Sequence, residues 1–222
     1  MKLIKPSYII FNKEDIKRAE KEIELAARTC YKSEDKITDE SAEKLITKLI
    51  DSHHDAMLEF GPSITVKFIC DRGVSHELVR HRLCSFAQES TRYCNYSKDK
   101  HNNQITFIEP LWLKDIPEKW HEFGDHQLER IDSAANYKEF LLIAEETYME
   151  LIKEGWSPQQ ARSVLPNSLK TEIVIKANIR EWRHIFSQRT ANGAHPQMKE
   201  LMIPLLKEFA EESSILFKDL IK

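Results

Sequence analysis

One short stretch of the chain, residues 72–96, carries most of the groups that could bind a charged ligand. Its basic side chains are interleaved with hydroxyl and amide side chains. Guanidinium groups form paired hydrogen bonds with phosphate and carboxylate oxygens, and neutral groups add directional contacts. The basic residues are Arg80, His81, Arg82 and Arg92, and the neutral ones are Ser85, Gln88, Ser90 and Thr91. The stretch predicts an anion-binding site, although these residues alone leave open a solvated, charged helix face.

The spacing within this stretch indicates which groups could act together. Glu77 and Arg80 are three residues apart, so they can face each other on a predicted helix. Arg80 and Arg82 point in different directions, so that one segment could contact two ligands. The neutral side chains from Ser85 to Thr91 are predicted to lie in a loop, the kind of element that usually carries binding groups.

Helices dominate the elements that must position these groups, and a small sheet accompanies them. Hydrophobic periodicity and capping residues predict helices over 14–30, 39–53, 71–82, 133–154, 180–189 and 196–219, with a short capped helix from Ser157 to Pro166. Alternation or β-branched composition predicts strands over 63–70, 105–108 and 171–178, and residues 112–132 receive no assignment. We therefore expect an α+β fold with helices around a small, mostly antiparallel sheet, in one domain spanning 1–222.

Composition excludes several classes of protein. The net charge is -3, which gives no reason to expect a nucleic-acid or membrane partner. No run of about 18 apolar residues occurs, so a soluble, cytoplasmic protein is expected. The five glycines form neither a GxGxxG motif nor a P-loop.

Cysteine and histidine spacing does not predict a metal site. The four cysteines form no CxxC pair, so free structural thiols are expected. His53 and His54 are adjacent, which points their side chains apart on a helix.

The order Arg80-His81-Arg82, seven residues, then Ser90 resembles the RHR-x7-S signature of the flavin-dependent thymidylate synthases. The resemblance extends from His54 to Arg189. It implies an enzyme that converts dUMP to dTMP by reductive methylation, with methylenetetrahydrofolate as carbon donor and NADPH as reductant acting through bound FAD. It also implies a homotetramer with active sites shared between subunits, and neither a nucleic acid nor a membrane as partner.

The resemblance also assigns roles to individual residues. Within ARSVLP and KANIREWRHIFSQR, it places Arg162 on the nucleotide and Arg189 as the catalytic residue that stabilises negative charge on the pyrimidine. The implied FAD-binding residues are Arg80, His81, Arg82, Gln88, Asn178, Arg180, His184 and His54. The implied dUMP-binding residues are Glu77, Arg80, Gln88, Ser90, Thr91, Arg92, Arg162 and Arg189. No metal and no cysteine nucleophile is implied, although Cys84 and Cys94 lie close to the signature.

The chain departs from the family pattern at three informative positions. Ala56 lacks an expected hydroxyl, Ala87 replaces an asparagine of many members, and His184 replaces an asparagine of some. These departures keep open a homologue that binds FAD and nucleotide without catalysis. A nucleic-acid-binding module that uses the RHR segment to contact phosphates is the other alternative, and the negative net charge argues against it.

Overall fold

The computed structural model of the protein describes residues 1–114, 119–123 and 127–221, of which 119–123 and 127–131 are described only as strands. The chain divides into two compact units. The first unit comprises Met1–Pro6, Cys70–Gly73 and Glu89–Thr171, and the second comprises Ser7–Ile69, Val74–Gln88 and Glu172–Lys222. The expectation of a single domain stays a prediction.

Strands and helices alternate along the described part of the chain. The strands are β1 (Lys2–Ile4), β2 (Ser7–Ile10), β3 (Ile64–Asp71), β4 (Ser85–Gln88), β5 (Thr106–Ile108), β6 (Lys119–Phe123), β7 (Gln127–Ile131) and β8 (Lys170–Ala177). The helices are α1 (Glu14–Tyr31), α2 (Ser41–Asp51), α3 (Arg72–Leu78), α4 (Ser133–Lys153), α5 (Pro158–Ala161), α6 (Ile179–Arg189), α7 (Pro196–Glu212) and α8 (Ser214–Phe217). None of the helices described is long and apolar enough to cross a membrane.

The largest sheet has four strands in the order β2-β3-β8-β4. The β2–β3 and β4–β8 pairs are antiparallel, which agrees with the predicted fold class. Alternate residues of β3 are buried, as its sequence pattern predicts. In the second unit, helices α6, α7 and α8 bury an aromatic cluster formed by Trp182, Phe186, Phe209 and Phe217.

The first unit has its own hydrophobic core. Strands β1 and β5 pair in parallel, and a core cluster contains Phe107 of β5 together with Leu141 and Tyr148 of α4. The Asp132 side chain accepts a hydrogen bond from the backbone N–H of Ala135 at the start of α4. Gly155 has φ +97°, a left-handed conformation that glycine adopts without strain, just after the helix ends.

Three predictions of secondary structure are wrong: two helices end earlier than predicted, and one predicted loop is a strand. The helix predicted over 71–82 ends at Leu78, because the N–H groups of Arg80 and His81 bond to carbonyls three residues back and so tighten the last turn. Residues 85–88, predicted to lie in a loop, instead form β4, since their backbone groups bond to β8. The helix predicted over 196–219 stops at Glu212, where Ser213 is extended and its hydroxyl accepts the N–H of Leu216.

Strands β1, β2, β6 and β7 have no counterpart among the predicted elements. Each of them is short, and a short strand becomes stable through its partner strand more than through its own residues.

Candidate active site

Helix α6 carries much of the candidate site in the second unit. Asn178 caps it, since its Oδ1 accepts the N–H of Glu181 at 2.9 Å. The buried face of α6 includes Ile185, Phe186 and Trp182, and the Trp182 indole N–H donates to the carbonyl of Ile64 at 3.0 Å. Packing and capping therefore set the orientation in which α6 presents its polar residues.

Arg189, at the last position of α6, is held by three hydrogen bonds. Its Nε donates to Nε2 of His81 at 3.0 Å, its Nη1 donates to Oε2 of Glu77 at 2.7 Å, and its Nη2 donates to the Glu77 carbonyl at 3.0 Å. A guanidinium has five N–H groups, so these bonds leave one on Nη1 and one on Nη2 as far as the described residues go. Arg189 is thus oriented to offer two N–H groups to a ligand.

His81 is buried, with 5% of its surface exposed. Its ring accepts a hydrogen bond and does not carry a positive charge. Burial, the positive charge of Arg189 and the nearby His184 lower the pKa of His81 to about 4. The ring is therefore neutral at pH 7. Because Nε2 accepts from Arg189, the proton of the neutral ring belongs on Nδ1.

Glu181 lies on the other side of the His81 ring. Its Oε1 is 3.6 Å from Nδ1 of His81, a charge–dipole contact that is longer than a good hydrogen bond. The Glu181 side chain is also buried, and burial raises the pKa of its carboxyl. The Cys84 thiol donates to the same oxygen at 3.9 Å.

The His81, Glu181 and His184 side chains place one potential metal-ligand atom each within 4.8 Å of one another. Two imidazoles and a carboxylate are a donor set that zinc accepts. However, Nδ1 of His81 carries the proton of the neutral ring, and the neighbouring Arg189 guanidinium repels a cation. The geometry therefore favours a hydrogen-bonded cluster over a metal centre.

Two cavities open onto this cluster. One of about 350 Å³ is lined by predicted site residues together with Leu83, Glu181 and Gln188. The predicted residues in it are Arg80, His81, Arg82, His184 and Arg189. The other, of about 510 Å³, shares Leu83, Glu181 and His184 with the first and adds Arg180, whose guanidinium pairs with the Glu59 carboxylate at 2.5 Å. Tertiary structure thus brings six predicted residues to one pair of cavities.

Four other predicted residues of this unit have different surroundings. The Gln88 amide, on β4, donates to the Ser75 hydroxyl at 2.9 Å. The Asn178 side-chain oxygen caps α6. Glu77 pairs with Arg189 instead of with the predicted partner, Arg80, because Arg80 lies beyond the end of α3. His54 precedes the 3-10 helix Asp55–Phe60 and lies outside both cavity linings.

The remaining predicted residues lie in the first unit. Arg162 follows α5, and its Nη1 donates to the Thr91 hydroxyl at 3.0 Å, so two predicted nucleotide-binding residues are in contact. The short capped helix predicted from Ser157 is confirmed at its start, where Ser157 and Gln160 form a capping box for α5. Arg92 is exposed and lies 5.5 Å from the centre of the Tyr93 ring, and its backbone N–H donates to the Ser90 hydroxyl.

Sequence reasoning did not single out Glu181 or Glu89. Glu89 accepts from Lys170 at 2.9 Å and from the Tyr96 hydroxyl at 3.1 Å, which anchors the segment that carries Ser90, Thr91 and Arg92. One feature of the sequence could have identified Glu181. It lies three residues before His184 on a predicted helix, so the two side chains can lie on the same helix face.

Comparisons with known proteins decide the family. The family described as Thymidylate synthase complementing protein matches residues 13–213. A flavin-dependent thymidylate synthase from Corynebacterium aurimucosum is 32% identical over 209 residues, which cover 89% of this chain and 78% of that protein. The chain belongs to the flavin-dependent thymidylate synthase family. The prediction from the RHR-x7-S signature, of an enzyme of this family, is therefore confirmed.

Other members support the same assignment. The flavin-dependent thymidylate synthase of Mycolicibacterium vanbaalenii is 30% identical over 89% of this chain and 78% of its own length. The fold of the chain is also that of a solved structure, the UMP/dUMP methylase PolB from Streptomyces cacaoi bound with 5-Br dUMP. That structure superposes with a TM-score of 0.73 at 21% identity, covering 98% of this chain and 96% of that one.

Proposed function

We propose that this protein methylates dUMP reductively to dTMP, with methylenetetrahydrofolate as carbon donor and NADPH as reductant. The names of its relatives and the signature residues support this reaction. The observation that carries the proposal is the Arg189 guanidinium, which is held by Glu77 and His81 and keeps two N–H groups for a ligand. Adjacent N–H groups on a fixed fork suit the carbonyl and imide groups of a pyrimidine.

The role of Arg189 follows from the chemistry of the uracil ring. Forming a bond at a ring carbon requires electron density there, and negative charge then develops on the ring carbonyl and imide groups. A cation held in place stabilises that charge without reorganising during the reaction. Glu77 and His81 supply this preorganisation because they bond to N–H groups of Arg189 other than the two proposed to contact the pyrimidine.

The residues around the two cavities fit FAD as the cofactor. Arg80, Arg82 and Arg180 offer positive charge suited to a diphosphate, and His184 offers an imidazole donor at the shared wall. We propose that these residues, with His81, Gln88, Asn178 and His54, bind FAD. When bound, the flavin supplies the redox chemistry of the reaction.

Residues of the first unit are proposed to bind the dUMP phosphate. The Arg162 guanidinium is already oriented by Thr91, and Arg92 is exposed next to Ser90. Arginine binds a phosphate through paired hydrogen bonds, and so these two residues give the nucleotide both affinity and orientation. In the proposed enzyme, four chains form a homotetramer whose active sites combine residues of different subunits.

No cysteine nucleophile is needed for this reaction. Burial and the Glu181 carboxylate raise the pKa of the Cys84 thiol to about 12, and burial also raises the pKa of Cys94. A thiol with such a pKa supplies very little thiolate, the nucleophilic form, at pH 7.

One assay tests the proposal and its alternatives. The purified protein should show a flavin absorbance band, and dTMP formation, followed together with NADPH oxidation, should require both dUMP and methylenetetrahydrofolate. A flavin band without dUMP-dependent turnover would instead indicate a binding protein that has lost catalysis. A colourless protein that binds oligonucleotides with a steep salt dependence would indicate a nucleic-acid-binding module.

Arg189→Ala should lower kcat for dTMP formation by about 100-fold or more, since it removes a preorganised electrostatic catalyst. Arg18→Ala serves as the matched control, because Arg18 is an exposed arginine of α1 that pairs with Asp15 and Glu22. Cys84→Ala should stay active. Unchanged turnover in Arg189→Ala, or a folded but inactive Cys84→Ala, would contradict the proposed mechanism.

A further inference from the structure

The buried Glu181 carboxylate has no role in the proposed reaction, although it lies within the cluster that holds Arg189. It is 5% exposed and its Oε1 faces Nδ1 of His81 at 3.6 Å. A carboxylate removed from water loses its hydration, so that a buried position requires compensating contacts. Two groups are directed at this oxygen, namely Nδ1 of His81 and the Cys84 thiol.

The hydrogen bond from Arg189 to His81 depends on where the His81 proton lies. Neutral imidazole has one N–H and one bare nitrogen, and the contact with Arg189 requires the bare nitrogen to be Nε2. With the proton on Nε2, two N–H groups would face each other across 3.0 Å, and the guanidinium would lose this contact. An acceptor next to Nδ1 selects the required tautomer.

We propose that Glu181 is a positioning residue that keeps the His81 proton on Nδ1, so that Nε2 accepts from Arg189 and the guanidinium holds its orientation. The chain of contacts runs from the Glu181 carboxylate through the His81 ring to Arg189, whose other side is held by Glu77. The catalytic consequence rests on the proposed function, whereas the tautomer itself does not.

The other groups around His81 do not replace Glu181. The His184 ring meets His81 edge-on at 5.8 Å between ring centres, and within the described residues no hydrogen bond joins the two rings. Cys84 faces the Glu181 oxygen and donates to it. Arg189 contacts Nε2, and Glu77 acts only through Arg189. Within the described residues, Glu181 is therefore the acceptor that faces Nδ1.

The tautomer can be measured directly. Long-range ¹H–¹⁵N NMR spectra of the full-length protein, labelled with ¹⁵N-histidine, distinguish a protonated Nδ1 from a protonated Nε2. The His81 signals are identified by their loss in His81→Gln. At pH 7.5 we expect a neutral ring with its proton on Nδ1. A proton on Nε2, or a doubly protonated ring, would overturn the proposal, whether or not the enzyme makes dTMP.

Two substitutions separate an electrostatic role from a packing role. Glu181→Gln keeps an oxygen that can face Nδ1 and should keep the tautomer. Glu181→Leu fills the space without an acceptor, and it should move the proton towards Nε2 and lower kcat by about 10- to 100-fold, as misplacement of a catalytic group does. The effect should fall on kcat more than on KM for dUMP. Glu22→Gln, at an exposed glutamate of α1, is the control.

The result that contradicts the proposal is a folded Glu181→Leu protein with the wild-type tautomer and wild-type kcat, since Glu181 would then only fill space. If Glu181→Leu does not fold, as judged by circular dichroism, the wild-type and Glu181→Gln spectra decide. A proton on Nδ1 in both proteins supports the proposal, whereas a proton on Nε2 in a well-folded Glu181→Gln contradicts it, because the amide oxygen can still face Nδ1. An Nε2 proton in the wild type would refute it.

Discussion

At the scale of single residues, the site combines charges that position one another. Arg189 bonds to the Glu77 carboxylate and to a neutral imidazole, so its positive charge has one negative partner and its orientation is fixed on two sides. His81 stays neutral because burial and the adjacent guanidinium both disfavour a second positive charge. This arrangement leaves Arg189 with two N–H groups available for a developing anion.

The low pKa of His81 predicts a specific dependence of stability on pH. The pKa is about 4 in the folded protein and 6.5 in an exposed histidine, so between these values the unfolded chain binds more protons. The contribution of neutral His81 to the free energy of unfolding is fully present above pH 6.5. It falls by on the order of 1 to 3 kcal/mol as the pH drops from about 6.5 towards 4. Chemical denaturation at several pH values measures this.

In His81→Gln, this part of the pH dependence should disappear, while the rest of the acid sensitivity remains. A mutant with the same loss of stability between pH 6.5 and 4 as the wild type would show that His81 titrates normally. His195→Gln is a suitable control because His195 lies outside the His81 cluster, at the N-terminus of α7.

At the scale of elements, α6 links packing to chemistry. Its apolar face is buried with the aromatic residues of α7 and α8, and its polar residues line both cavities. The direction in which Glu181, His184 and Arg189 point therefore depends on how the helix begins and packs. Asn178 has two assigned tasks, since it caps α6 and is also a proposed FAD-binding residue.

Asn178→Ala should lower the free energy of unfolding by about 1 kcal/mol, because the first turn of α6 loses its side-chain cap. Asn178→Ser retains a capping oxygen and should lose less. Urea unfolding monitored by circular dichroism checks both values. Asn192→Ala, at an exposed position after the same helix, is the control. Equal stability of Asn178→Ala and the wild type would mean that the cap does not stabilise α6.

At the scale of the whole molecule, we propose that four chains assemble into a homotetramer. Sedimentation velocity of the flavin-bound protein should therefore give a mass four times that of the 26.1 kDa chain. Because the proposed active sites combine residues of different subunits, specific activity should fall when dilution dissociates the assembly. A fully active monomer would contradict the shared site while leaving the chemistry of Arg189 untested.

The sequence by itself determined the family, the α+β class and six of the residues that line the two cavities. These features depend on local patterns, namely the RHR-x7-S signature, hydrophobic periodicity and capping residues such as Ser157. Local patterns are informative where the energy of a segment depends mainly on residues within a few positions along the chain.

Only the tertiary structure decided that Glu77 pairs with Arg189, which lies 112 residues away along the chain, instead of with nearby Arg80. It also decided that residues 85–88 form a strand and that a buried carboxylate faces His81. Each of these features depends on partners distant in sequence. The stability of a strand or an ion pair then comes from packing that the periodicity of one segment does not encode.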